Sequence, residues 1–199
     1  MRLGFVEGSG NTHPGQGTAN RRFFFENFML ELLWVTNPAE AQSDKTRRTR
    51  LWERCERQDD AVSPFGIIFR PSGAARRAAP FPTWAYAPDY LPPGLALQIA
   101  DGVSLYEPEL FYLPFMNRAR QQGSEPLLHA VPIRRIRAVS VGVTRFAELS
   151  EASRSAMSHG LLSYFEAPQP LMEISFEGVA GVNFDLRPEL PLLFRSALP

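Results

Sequence analysis

The chain has one cysteine, no net charge and no long apolar run, and each shortage narrows what it can be. Cys55 cannot form an internal disulfide, and no Cys–His spacing of a zinc site surrounds it. It sits among charges between Trp52 and Arg57, which favours an incidental, partly exposed thiol over a catalytic one. The 21 basic and 21 acidic residues cancel, so no whole-molecule field draws the chain to nucleic acid or to an anionic membrane. No stretch approaches the roughly 18 apolar residues of a membrane span. Met1 to Gly10 lack the apolar core and cleavage site of a signal peptide, and the chain reads as cytoplasmic.

What is present is a texture of short apolar segments cut by turn residues, with 18 prolines and 15 phenylalanines in 199 residues. That length suits one generous domain or two small modules sharing a core. Proline inside a helix costs about 3 kcal/mol, so the texture favours sheets. Strands are predicted over Arg21–Phe25, Phe28–Val35, Phe65–Arg70, Leu95–Ala100, Leu110–Leu113, Ile136–Val143, Leu161–Phe165, Leu171–Glu177, Val182–Leu186 and Leu192–Arg195. Two helices are predicted. Lys45–Arg57 follows Ser43 and Asp44 and places Leu51 and Cys55 on one face; Glu148–His159 has Ser150 as a cap and Gly160 as its stop. Between Arg70 and Pro93, a flexible proline-bounded linker precedes Trp84, Tyr86 and Tyr90. This aromatic part reads as a loop that covers either the core or a ligand, with core packing the stronger reading.

The segment from His13 to Val35 holds the main candidates for chemistry. Its polar turn, His13-Pro14-Gly15-Gln16-Gly17-Thr18-Ala19-Asn20, feeds two apolar strands, and the second carries a single acid, Glu31. By strand alternation Glu31 shares a face with Met29, Leu33 and Val35, where an unpaired carboxylate is costly to bury. It is therefore a ligand or general base in a cleft, or it pairs with Arg21 or Arg22 across the hairpin, or, if the strand's other row is the buried one, it faces solvent. His13 suits anion binding or acid–base work near neutral pH, against a role in shaping its loop. Gln16 and Asn20 are neutral donors for substrate oxygens, and Arg21 would suit a carboxylate or phosphate at a cleft mouth. Trp84 is the aromatic candidate to line the same cleft. His129 and His159 read as loop and helix-end residues. The segment also has an echo: Phe25-Glu26 then Met29–Leu32 compares with Phe165-Glu166 then Leu171–Ile174, whose acid is Glu173.

With these residues in view, the chain resembles the glyoxalase-like proteins of the vicinal oxygen chelate superfamily. The resemblance lies in the His13–Phe25 run, the following Leu30–Val35 strand, Ser63–Ile67, Glu107–Phe111 and Asp185–Pro191. It implies an α+β fold of tandem βαβββ modules within one domain over residues 1–199. The modules would be a first, partial one over 1–70 and a second over 131–199, joined by a connecting segment over 71–130. The first module would lack its opening strand and helix, so that either a second copy of the chain completes the sheet as a homodimer or the protein starts upstream of Met1. The resemblance further implies a small-molecule substrate and a divalent metal that acts as a Lewis acid in lyase, isomerase or dioxygenase chemistry. Glu31 and Glu173 stand at the carboxylate ligand positions of the two modules. The histidine ligand of a first strand has no counterpart, neither before His13 nor in Ile136–Val143, and this favours the alternative of a metal-free binding or sequestering protein.

Overall fold

The computed structural model describes residues 3–71, 78–116, 125–177, 181 and 183–196. Alternation of apolar and polar residues, broken by glycine and proline, produces three small sheets rather than one large one. β1 (Asn11–His13), β2 (Thr18–Phe24) and β3 (Met29–Val35) form an antiparallel meander. β4 (Gly66–Phe69), β5 (Thr83–Tyr86), β6 (Leu97–Ala100) and β7 (Glu109–Tyr112) form a second sheet in the order β4-β7-β6-β5. The third sheet contains β8 (Ile136–Val143), β9 (Ser163–Glu166), β10 (Leu171–Phe176), β11 (Asn183–Asp185) and β12 (Leu192–Ser196), ordered β11-β12-β10-β8-β9. Among the described residues there are also three short α-helices: α1 (Pro38–Ala41), α2 (Leu51–Glu56) and α3 (Glu151–Ser158).

The fold is α+β, with sheets dominating. β8, α3, β9, β10 and β12 make up a βαβββ module, with β11 added at its edge. The helix crossover lays β9 parallel to β8, and β10 returns antiparallel on the other side. This arrangement corrects the reading of the internal echo. β2 and β3 are hydrogen-bonded neighbours, whereas β9 and β10 lie on either side of β8.

The helix signals were partly legible. Ser150 caps α3 by accepting the Ser153 N–H at 3.2 Å, and Gly160 follows the helix at φ +65°. The helix expected over Lys45–Arg57 is broken. A single 3-10 turn, Arg47–Thr49, ends at Arg50 in the left-handed region (φ +52°) before α2 begins. The break rotates α2 so that Arg54 is its buried residue and Cys55 is exposed. The aromatic stretch expected as a loop is in part a strand: Thr83–Tyr86 pairs antiparallel with β6. Val182, expected to open a strand, lies outside the described residues, as does the linker stretch 72–77.

Two apolar cores hold the sheets together. In one, Leu110 and Ala100 of the second sheet meet Val141, Val143, Tyr164 and the Ala152–Ala156 face of α3. In the other, Phe25, with Phe23 and Leu30 of the first sheet, packs on Ile174, Phe176, Leu192 and Phe194 of the third. Met172 touches both. Polar ties reinforce the seam. The buried Glu107 carboxylate accepts from the Ser104 hydroxyl at 2.9 Å, and from the N–H and hydroxyl of Ser150 at 2.9 and 2.8 Å. It thereby anchors the start of α3 to the loop before β7.

His129 fastens the N-terminal segment to β2. Its Nδ1 accepts the Val6 N–H at 3.0 Å, so its Nε2, 2.9 Å from the Phe24 carbonyl, must be the protonated nitrogen. A second proton would set an N–H against the Val6 N–H, and burial already lowers the pKa of the ring. The native state therefore binds this proton less readily than the unfolded chain does. Stability should decline as pH falls from the ordinary histidine pKa, about 6.5, through the lower native value. Urea unfolding at pH 7.5 and 5.5 should show a smaller decline for His129→Asn than for the wild type. Equal declines would rule out this linkage.

Candidate functional site

The polar turn is built by glycine and by distant anchors. Gly17 adopts φ +72°, and a side chain there would collide with the Asn37 carbonyl oxygen at 2.3 Å. That tight approach lets the Gly17 carbonyl accept the N–H groups of Thr36 and Asn37 at 2.8 and 3.1 Å. Glu40 of α1 accepts the Gly15 N–H at 2.7 Å, and the Thr46 hydroxyl donates to the Gly15 carbonyl at 3.2 Å. From the far side, Asp89, held by Lys45 in an ion pair at 2.5 Å, covers Gly15. The turn is thus clamped by α1, the segment after it and the loop after β5.

Inside the clamp lies a buried polar cluster. The Gln16 amide nitrogen donates to the Thr18 hydroxyl oxygen at 2.8 Å, and the Thr18 hydroxyl lies 2.8 Å from His13 Nδ1. Tyr86 and Tyr90 donate their hydroxyls to the Gln16 side-chain oxygen at 3.2 and 3.3 Å. The Tyr90 ring also packs on the His13 ring, with centroids 4.7 Å apart. Burial raises the pKa of both tyrosines, so both remain neutral donors.

Strand register sets who faces this cluster. His13 lies opposite Thr18, Asn20 opposite Leu33, and Arg22 opposite Glu31, so His13, Thr18, Asn20, Arg22 and Glu31 share one face of the first sheet. Burial lowers the His13 pKa, while the nearby Glu31 charge raises it and Arg22 lowers it further. The Glu31 charge also reaches Tyr90. Arg22 points to Ser9, donating to its carbonyl and hydroxyl at 2.7 and 2.6 Å. Asn20, buried between the two ends of the face, accepts the Asn11 N–H at 2.7 Å.

Other candidates lie elsewhere. Alternation puts Arg21 on the opposite face of β2, where it pairs with Glu7 at 2.9 Å. Neither arginine pairs with Glu31. Trp84 lies on β5 beneath the Arg48 guanidinium, 4.2 Å from the ring centre, and one residue removed from Tyr86. Glu173 belongs to the third sheet and faces Arg195 at 3.6 Å. Among the described residues no group of three or more His, Cys, Asp or Glu side chains is placed to hold a metal ion. Glu31 and Glu173, the carboxylates expected as metal ligands, lie on different sheets. His159 ends α3, its Nδ1 2.8 Å from the Ser155 carbonyl. Thr18, and the convergence of Tyr86 and Tyr90 on Gln16, escaped the sequence reading. Only the proximity of two tyrosines to a run of prolines hinted at a covering loop.

Residues 1–156 match the model of the glyoxalase-like domain, so the chain belongs to the glyoxalase-like domain family. With its α+β sheet architecture, it is a protein of the vicinal oxygen chelate type, which acts on small molecules. No curated protein and no solved structure matches the chain. No helix among the described residues is long and apolar enough to cross a membrane.

Proposed function

We propose that the protein binds a small, uncharged, oxygen-bearing molecule against the His13–Glu31 face of the first sheet and moves a proton on it, as a lyase or isomerase does. One observation carries the reading. His13 and Glu31 share a face, the Glu31 charge reaches the His13 ring, and Glu31 forms no ion pair among the described residues. A carboxylate left in this state is available as a general base, and its charge reaches both His13 and Tyr90. Proton transfer needs only these side chains, and no step is routed through a metal.

The test is exchange of C–H for C–D on a panel of small carbonyl compounds in D2O, followed by proton NMR. Glu31→Gln should slow exchange by about 10²-fold or more, the usual contribution of a positioned general base. Prior treatment with EDTA should leave the wild-type rate unchanged. Equal rates in wild type and Glu31→Gln would remove Glu31 from the chemistry. The second reading is a binding protein without turnover, favoured by the aromatic Trp84, Tyr86 and Tyr90 and by the missing metal ligands. It predicts saturable binding of panel members with no exchange at all.

A further inference from the structure

We infer that Gln16 and Thr18 are positioning residues that lock His13 in its Nε2–H tautomer, so that the imidazole offers the ligand a hydrogen-bond donor and not a base. The inference rests on the proposed placement of the ligand beside His13. Tyr90 has no acceptor for its proton among the described residues except the Gln16 side-chain oxygen, which also takes the Tyr86 proton. Reversing the Gln16 amide would strand the Tyr90 proton, so the oxygen faces the phenols and the nitrogen faces Thr18. The Thr18 hydroxyl, 1% exposed, then accepts from Gln16 and must place its own proton elsewhere. His13 Nδ1 is the acceptor within reach. A neutral imidazole that accepts at Nδ1 carries its proton at Nε2.

This direction of donation divides the two groups on the face. His13 presents N–H, and Glu31 presents a carboxylate. A ligand that satisfies both has an oxygen acceptor for His13 and a C–H or O–H proton for Glu31. It carries no negative charge, since the Glu31 carboxylate repels an anion and the Arg22 guanidinium on the same face is turned to the carbonyl and hydroxyl of Ser9. Neutral carbonyl compounds meet these requirements; carboxylates and phosphates do not.

The tautomer can be read without any ligand, by long-range proton–nitrogen NMR of protein labelled with ¹⁵N-histidine at pH 8. The three histidines supply their own standards. His129 must be Nε2–H by its contacts, and His159, whose Nδ1 faces a carbonyl, should be Nδ1–H. His13, assigned through His13→Asn, should show the His129 pattern. In Thr18→Val, which keeps the branched shape, His13 should lose that pattern and move toward a mixture of tautomers. An unchanged His129 signal will report an intact fold, and Gln16→Ala offers a second route to the same shift. A His13 of Nδ1–H type in the wild type, or one indifferent to both substitutions in folded protein, overturns the inference. Absence of proton exchange on the carbonyl panel overturns the proposed function and leaves the tautomer result standing.

Discussion

Arg54→Ala should lower the free energy of unfolding by about 3–5 kcal/mol, the usual consequence of removing one partner from a buried ion pair. The Arg54 side chain is 7% exposed and the Glu109 side chain, 3.2 Å away, 8%. The same guanidinium donates to the carbonyls of Ser63 at 3.1 Å, Glu107 at 2.6 Å and Ser104 at 3.2 Å. Its loss strands a carboxylate and several carbonyls inside the protein. Burial raises the Glu109 pKa and Arg54 opposes that rise, so the variant leaves Glu109 with its native pKa further above the unfolded one. In the variant the native state then holds a proton that the unfolded chain releases. Stability of Arg54→Ala should therefore fall as pH rises from about 4.3, the unfolded glutamate value, through the raised native pKa. Urea unfolding across pH 4–8 measures both effects. The double variant Arg54→Met, Glu109→Leu should recover part of the loss by removing the stranded charge. A single variant within about 1 kcal/mol of wild type would mean that the pair behaves like a surface salt bridge.

Gly17→Ala should be nearly as damaging, and it should strike the site as well as stability. A methyl group there meets the Asn37 oxygen at 2.3 Å, Glu40 Cβ at 2.9 Å and the Ala41 nitrogen at 3.0 Å. Backbone strain at φ +72° and the collision should each cost about 1–3 kcal/mol. Gly94→Ala is the control: its φ is +84°, but its Cβ would meet nothing within 4 Å. It should lose only the strain share. Displacing the turn also moves Gln16 away from Tyr86 and Tyr90, so the His13 pKa, lowered by burial, should return toward its ordinary value. NMR titration of His13 reads that change. Equal urea midpoints for the two variants would show that the turn yields without resistance.

Much of the fold could be read from local pattern. Ile136–Val143 is rich in β-branched residues, and its bounds agree with β8. Ser150 and Gly160 marked α3 because capping is chemistry between near neighbours. The break at Arg50 had no such signal, since a non-glycine residue in the left-handed region is a tertiary outcome. Tertiary contact also decides that Arg54, and not Leu51 or Cys55, is the buried face of α2: its acceptors lie up to 55 residues away. β5 escaped for the same reason, as four residues between prolines become a strand only when β6 is there to pair. At the candidate site, Glu31, His13, Gln16 and Asn20 stood out as polar groups in a turn and on an apolar strand. Their common face is visible only in the register, and the tyrosines that organise Gln16 arrive from some 70 residues along the chain.

The second apolar core joins segments far apart in the sequence, and that sets an order for their synthesis. Phe23, Phe25 and Leu30 are covered by Ile174, Phe176, Leu192 and Phe194, which the ribosome adds much later. Until those strands emerge, the first sheet has no cover for its phenylalanines, and the turn that bears His13 rests on a sheet without its foundation. In the interval between the two, the nascent chain holds these aromatic side chains open to wrong partners.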